Sequence, residues 1–313
     1  MAVALGLAVP ALARGADVVV TTAFLVEFLG EGRWRALSWI TEPPLTTPLD
    51  LGSAGVPASA DLHLVPGSAR RPGLVLVHGL AEAGKDDARV RDAAGLLARA
   101  GWAVAVPSVP GLTRMRLRPE DAGPVEAAAR ALAGAGHRPV ALVAVSLGAG
   151  PAVIAAAELS ASHAPALPLS AILLLGGYAS SRELLRFALT GDGPRASAPG
   201  GRPMSDEAIA RFVDANADLL DRADRAALLT SRDSAQVDAL LAALSPSTRQ
   251  ILDRLSPEAH LPRIESPIFL VHGRQDPVVP FTETLQLERV ARSAGHRVRL
   301  ALVGAVNHVE GGR

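Results

Sequence analysis

The stretch PVALVAVSLGAGPAVIAAAEL, residues 139–159, decides how this chain is read. PVALVAV (139–145) is a continuous apolar run of the buried parallel-strand type. Leu147 to Leu159 is rich in small residues and reads as a helix. Ser146 therefore stands on a sharp turn between strand and helix, within Ala144-Val145-Ser146-Leu147-Gly148. A turn this tight brings strand and helix almost into contact, so small residues are needed on both sides. A hydroxyl held there is presented at the carboxyl edge of a sheet, beside a helix amino terminus. The usual pattern is Gly-x-Ser-x-Gly, and alanine stands here in place of the first glycine.

The same alternation extends outward in both directions. GLVLVH (73–78), WAVAVP (102–107), AILLL (171–175), PIFLVH (267–272) and VRLALV (298–303) read as strands, and Ala60–Leu64 as another. Asp86–Ala100, Asp121–Ala135 and Phe281–Ala294 carry apolar residues at helix spacing. Strands alternating with helices predict an α/β domain with a doubly wound, mostly parallel sheet. This domain is placed at 59–313. Residues 1–58, broken by Pro43-Pro44, Pro48 and Pro57, are read as an irregular leader. Between about 180 and 262 no buried strand appears. Amphipathic pieces at Arg182–Leu189, Ser205–Leu229 and Ala235–Leu244 predict a helical insertion ahead of the strand PIFLVH, either a mobile lid or a packed cap.

Composition narrows the function. The chain has 313 residues, 49% hydrophobic, with 31 basic and 31 acidic side chains. Without a basic surplus, nucleic acid is not an expected partner. Cysteine is absent, which rules out disulfides, thiolate catalysis and Cys-ligated zinc. No metal-ligand spacing and no G-x-G-x-x-G loop is found, so no metal or cofactor is expected. The apolar run Ala2–Ala13 has the length of a signal-peptide core but lacks a basic segment before it. Export or membrane attachment through the N-terminus and an N-terminal helix packed on a cytoplasmic enzyme both remain open. Oligomeric state is not legible.

A serine hydroxyl needs a base within reach and a group that orients the base. Asp276, in HGRQDPVVP, and His308, in GAVNHVE, each follow a strand. The chain order Ser146, Asp276, His308 casts them as nucleophile, orienting acid and base. Glu310 is a reserve carboxylate. His296 sits at the wrong end of the last strand. His260 and His163 have no strand before them, and Asp206 and Asp253 belong to the insertion. The backbone N–H groups of Leu80 and Leu147 are the expected oxyanion donors. His78 and Gly79 are placed beside the substrate, His78 alternatively as a strand-end histidine satisfied by backbone. Glu82–Asp87 reads as a polar rim or, more simply, as helix capping.

Through GLVLVHGL, VPSVPGL, AVSLGAG, LVHGRQDPVVP and VNHVE the chain resembles the α/β-hydrolase superfamily, within it the dienelactone-hydrolase-like and prolyl-oligopeptidase-like esterases, over about residues 59–310. The resemblance implies an α/β-hydrolase fold, with Ser146, Asp276 and His308 as the triad and the insertion shaping the pocket. It implies cleavage of a small-molecule carboxylic ester through an acyl-enzyme. Thioesterase, acyltransferase and peptidase chemistry, and a non-catalytic binding protein of the same fold, stay open. In the family a closing helix normally follows the histidine. Here it either lies outside this chain or is replaced by the leader. Dienelactone hydrolases proper use a cysteine nucleophile, so their substrate is not carried over.

Overall fold

The computed structural model describes residues 18–24, 26–27, 33–52, 59–67, 71–161, 166–192 and 203–304. Among them, eight strands form one sheet in the order β1-β2-β4-β3-β5-β6-β7-β8. They are β1 Leu45–Leu49, β2 Ala60–Leu64, β3 Gly73–Val77, β4 Ala103–Pro107, β5 Val140–Val145, β6 Ile172–Leu175, β7 Ile268–Gly273 and β8 Val298–Val303. From β4 to β8 neighbouring strands are parallel. β1 and β2 add an antiparallel edge.

Alternation along the strands sorts side chains to two faces. Val75, Val77, Ala103, Ala105, Leu142, Ala144, Ile172 and Leu174 pack with the helices Ala122–Gly134, Ala149–Ala161 and Phe281–Ser293. Leu74, Leu76, Val104, Val106 and Val143 pack with Ala94 and Ala98 of the helix Ala88–Arg99 on the other face. Burial on both faces explains why these strands read as unbroken apolar runs.

Two expectations change. The sheet starts inside the supposed leader, because Leu45–Leu49 pairs with Ala60–Leu64. Pro48 was read as a break, yet it occupies an edge strand, where a missing N–H is tolerated. The predicted helix 205–229 is two helices, Asp206–Ala215 and Arg222–Thr230. Asp221 caps the second by accepting the Ala223 N–H at 2.9 Å, which starts a new helix rather than continuing the old one. A further helix, Pro246–Arg254, went unread.

The insertion has its own core, with Leu189, Ile209, Val213, Leu228, Val237, Leu241, Leu244 and Leu252 buried together. Its entry and exit are tied to each other. The Tyr178 hydroxyl donates to Leu255 O, the Ser181 N–H to Ser256 Oγ, and the Glu258 N–H to Ala179 O. A second tie reaches the loop after β4. Asn216 Oδ1 accepts from Leu117 N and Arg118 Nη1, and its Nδ2 donates to Met115 O and Phe212 O, all within 2.8–2.9 Å. Asp218 pairs with Arg116 and Arg118 beside it. These contacts describe a packed cap.

Asn216 is 3% exposed and all four of its amide bonds are made. Asn216→Ala leaves Leu117 N–H and Met115 O without that partner. The expected loss of stability is about 2–4 kcal/mol, read from denaturant unfolding. Hydrogen exchange should rise at residues 115–118 and 206–216 ahead of the sheet.

Candidate active site

The turn at Ser146 takes the form its neighbours predict. Val145 is extended, Ser146 has φ +53°, and a tight turn over Ser146–Gly148 leads into the helix Ala149–Ala161. Among the described residues only Met115 is another non-glycine with positive φ. Such a conformation costs on the order of 1–3 kcal/mol and persists only where packing enforces it. The enforcing contacts come from the end of β3, which runs in register with β5, Val77 opposite Ala144. A Cβ on Gly148 would lie 2.4 Å from His78 O, and one on Gly79 would lie 3.1 Å from Ser146 Cβ. Ala144 is fully buried in the core, so its methyl is accommodated where the usual pattern has glycine.

His78 is 1% exposed and its ring is committed to backbone on both sides. The Val109 N–H donates to Nε2 at 3.1 Å. Nε2 is therefore unprotonated, and Nδ1–H donates to Gly79 O at 2.7 Å. Burial pushes the imidazole pKa down, consistent with a neutral ring. This corrects the expectation that His78 contacts substrate, since neither ring nitrogen is left for a ligand. Its role is to hold the Gly79 carbonyl. In a trans peptide the next N–H points the opposite way, so the Leu80 amide is directed away from the His78 ring. Leu147 lies in the first turn after Ser146, where amide hydrogens have no intrahelical acceptor.

Asp276 follows β7 and is 7% exposed. Its Oδ1 accepts the N–H groups of Val278 at 2.8 Å and Val279 at 2.9 Å. Its Oδ2 lies 3.4 Å from Nε2 of His272, which is also 2.9 Å from Val279 O. The other ring nitrogen of His272 is 2.5 Å from the Thr284 hydroxyl. The chain leaves β8 next to this loop, with Val303 opposite Gly273 and the Arg274 N–H on Val303 O. His308 and Glu310, a few residues further on, lie outside the described residues, as does His163.

The remaining candidates are structural. His296 and His260 rest on the carbonyls of Leu261 and Arg254. Asp206 and Asp253 pair with Arg232 and Arg182. In the 82–87 cluster, Asp87 caps the helix Ala88–Arg99 through the Arg89 N–H. Lys85 binds Asp61 of β2 at 2.9 Å, so within the cluster Asp87 serves as a helix cap and Lys85 as a tie to the sheet. A hollow of about 480 Å³ at Pro246, Arg249, Asp253 and His260 includes none of Ser146, His78, His272 and Asp276.

Two polar groups escaped sequence reasoning. Glu283 and Thr284 look like ordinary first-turn helix residues, yet they are 2% and 1% exposed. Glu283 Oε2 accepts the N–H groups of Ala179 and Ser180, each at 2.9 Å, where the chain enters the insertion. Burial raises its pKa from the usual 4.5 to about 7. The two amide bonds oppose the rise, and the nearby Glu183 and Glu258 add to it. Nothing local in the sequence marks Glu283, because its partners are about 100 residues away.

Residues 74–307 match the family model for the alpha/beta hydrolase family. No curated protein matches. Among solved structures, an acylaminoacyl peptidase from Pyrococcus horikoshii is 15% identical, TM-score 0.53, over 89% of this chain and 40% of its own. A puromycin-hydrolyzing peptidase from Mycobacterium tuberculosis is 19% identical, TM-score 0.52, over 85% and 36%. A Klebsiella pneumoniae protein described as a dienelactone hydrolase is 11% identical, TM-score 0.51, over 86% and 88%. The chain thus spans two-fifths or less of these two peptidases and most of the last protein. At such identities the likeness is one of fold.

Glu283 is the titration to watch. An acid whose folded pKa lies above its unfolded value destabilises the fold progressively as pH rises through that interval. Wild type should lose stability between about pH 4.5 and 7 relative to Glu283→Gln, by up to about 3 kcal/mol. Urea midpoints of both proteins across this range check it. Parallel curves would contradict the assignment.

Proposed function

Since the chain belongs to the alpha/beta hydrolase family, we propose that it is a serine hydrolase cleaving a carboxylic ester through an acyl-enzyme. The observation that carries this reading is Ser146 itself, a non-glycine residue at φ +53° between β5 and its helix. Its Cβ lies close against Gly79, at the strand end that supplies Leu80. A structural serine has no need of that conformation. A nucleophile does, because the turn lifts its hydroxyl clear of the sheet edge.

In the proposed reaction Ser146 Oγ attacks the acyl carbon while His308 takes its proton. Asp276, fixed by two backbone amides, holds the His308 tautomer and stabilises the imidazolium. The Leu80 and Leu147 amides receive the developing oxyanion, a contribution on the order of 3 kcal/mol for one such donor. Collapse of the tetrahedral species expels the alkoxide, which takes the proton from His308. Water then attacks the acyl-enzyme with His308 as base, and Ser146 regains its proton when the acid leaves. The position of β8 beside the Asp276 loop supports His308 as the base, since the chain emerges from β8 at the required edge. The cap over residues 180–262 and Gly79 are the proposed walls of the acyl site.

Two measurements test the reading. Ser146→Ala should lower kcat on p-nitrophenyl esters by about 10⁴-fold or more, and a fluorophosphonate should label wild type alone. Undiminished turnover by the mutant would sink the proposal. Aminoacyl p-nitroanilides in the same panel decide between ester and amide. His272 abuts the proposed acid, and both of its ring nitrogens already have partners within the fold. His272→Phe should therefore reduce kcat by about 10–100-fold with KM within about twofold. It should also move the acid limb of the kcat/KM profile, which simple loss of stability would not do.

A further inference from the structure

We propose that the described residues 18–24, 26–27 and 33–45 form a foot that docks this protein on the surface of a lipid bilayer, lying in the interface and not crossing it. Among the described residues, seven of the nine exposed large hydrophobic side chains fall in this stretch: Val18, Val19, Val26, Trp34, Trp39, Ile40 and Leu45. The rest of the domain hides its apolar groups efficiently, so the concentration is not a general property of the surface. Trp34 and Trp39, 64% and 74% exposed, are two of only three tryptophans in the chain.

The foot is a built unit. Glu27, 8% exposed, accepts the N–H groups of Leu37 and Ser38 and the Ser38 hydroxyl. That joins the helical segment 18–24 and 26–27 to the helix Ala36–Ile40. Arg99 Nη1 then donates to Thr41 O and Oγ1, fastening the unit to the helix Ala88–Arg99. That helix covers one face of the sheet, and the same face carries half-buried Val145, Leu173 and Leu175.

The chemistry selects lipid as the occupant. Tryptophan, with an apolar body and one N–H donor, is the residue best suited to the boundary between headgroups and acyl chains. Arg33 and Arg35, both exposed, flank Trp34 and can keep their guanidinium groups in the headgroup layer while their stems lie along apolar surface. In the sequence the apolar run Ala2–Ala13 lies just upstream and extends the same character. No described helix is long and apolar enough to cross a membrane, which fits a helix lying on it. A second copy is a poorer match. The open edge beside the foot is β1, and Pro48 interrupts the row of N–H groups that edge pairing would require.

Flotation of the full chain with zwitterionic phosphatidylcholine vesicles tests this. Wild type should float with the vesicles, its tryptophan emission should shift to the blue, and brominated lipid should quench it. Binding should survive 1 M NaCl, because apolar insertion rather than charge holds it. Trp34→Ser with Trp39→Ser should lower partitioning by about tenfold or more, with unfolding midpoint and fluorophosphonate labelling unchanged. Ser146→Ala should float like wild type, so the docking stands or falls apart from the catalytic reading. Failure to float, equal flotation of the double variant, or binding that needs anionic lipid and vanishes in salt would overturn the proposal. So would a dimer lost in the double variant without any vesicle binding.

Discussion

The site rests on a near-contact between two pieces of backbone. Where β3 ends at His78-Gly79 and the helix begins after Ser146, there is no room for a side chain on Gly148 and only a tight fit for one on Gly79. Gly148 faces the His78 carbonyl, and Gly79 faces Ser146 itself. This contact pins Ser146 in a left-handed conformation it would otherwise abandon. It also sets the two proposed oxyanion amides on neighbouring strand ends. His78 completes the arrangement from below, because its ring locks the Gly79 carbonyl and thereby the orientation of the following amide.

A second layer of buried polar groups connects the site to the cap. Adjacent residues of one helical turn serve different neighbours. Glu283 grips the amides where the chain enters the insertion, and Thr284 meets His272, which stands against Asp276. The entry to the insertion and the loop bearing Asp276 therefore share one anchor, the start of the helix Phe281–Ser293. Asn216 fixes the far side of the cap to the loop after β4. Packing of this kind ties the insertion to the sheet at two places.

Much of this was legible because parallel strands buried on both faces leave an unmistakable pattern of short apolar runs, and the turn residues between them are chemically constrained. Ser146, Asp276 and the glycines at 79 and 148 stood out for that reason. Pro48 and Asp221 misled the reading. One was taken for a break and sits in an edge strand; the other caps a new helix where continuous periodicity was assumed. His78 was placed beside the ligand with a backbone-satisfied histidine as the alternative, and its two backbone partners favour the alternative.

What the sequence by itself determined is the order of elements and the position of the tight turn at Ser146, since both follow from local periodicity and the steric needs of a tight bend. The tertiary structure decided which histidines are framework, that the sheet's edge lies in the leader, and that Glu283 carries a raised pKa. The reason is range. Burial, and the partner of a buried polar group, are set by chain segments up to a hundred residues distant, and no local pattern encodes them.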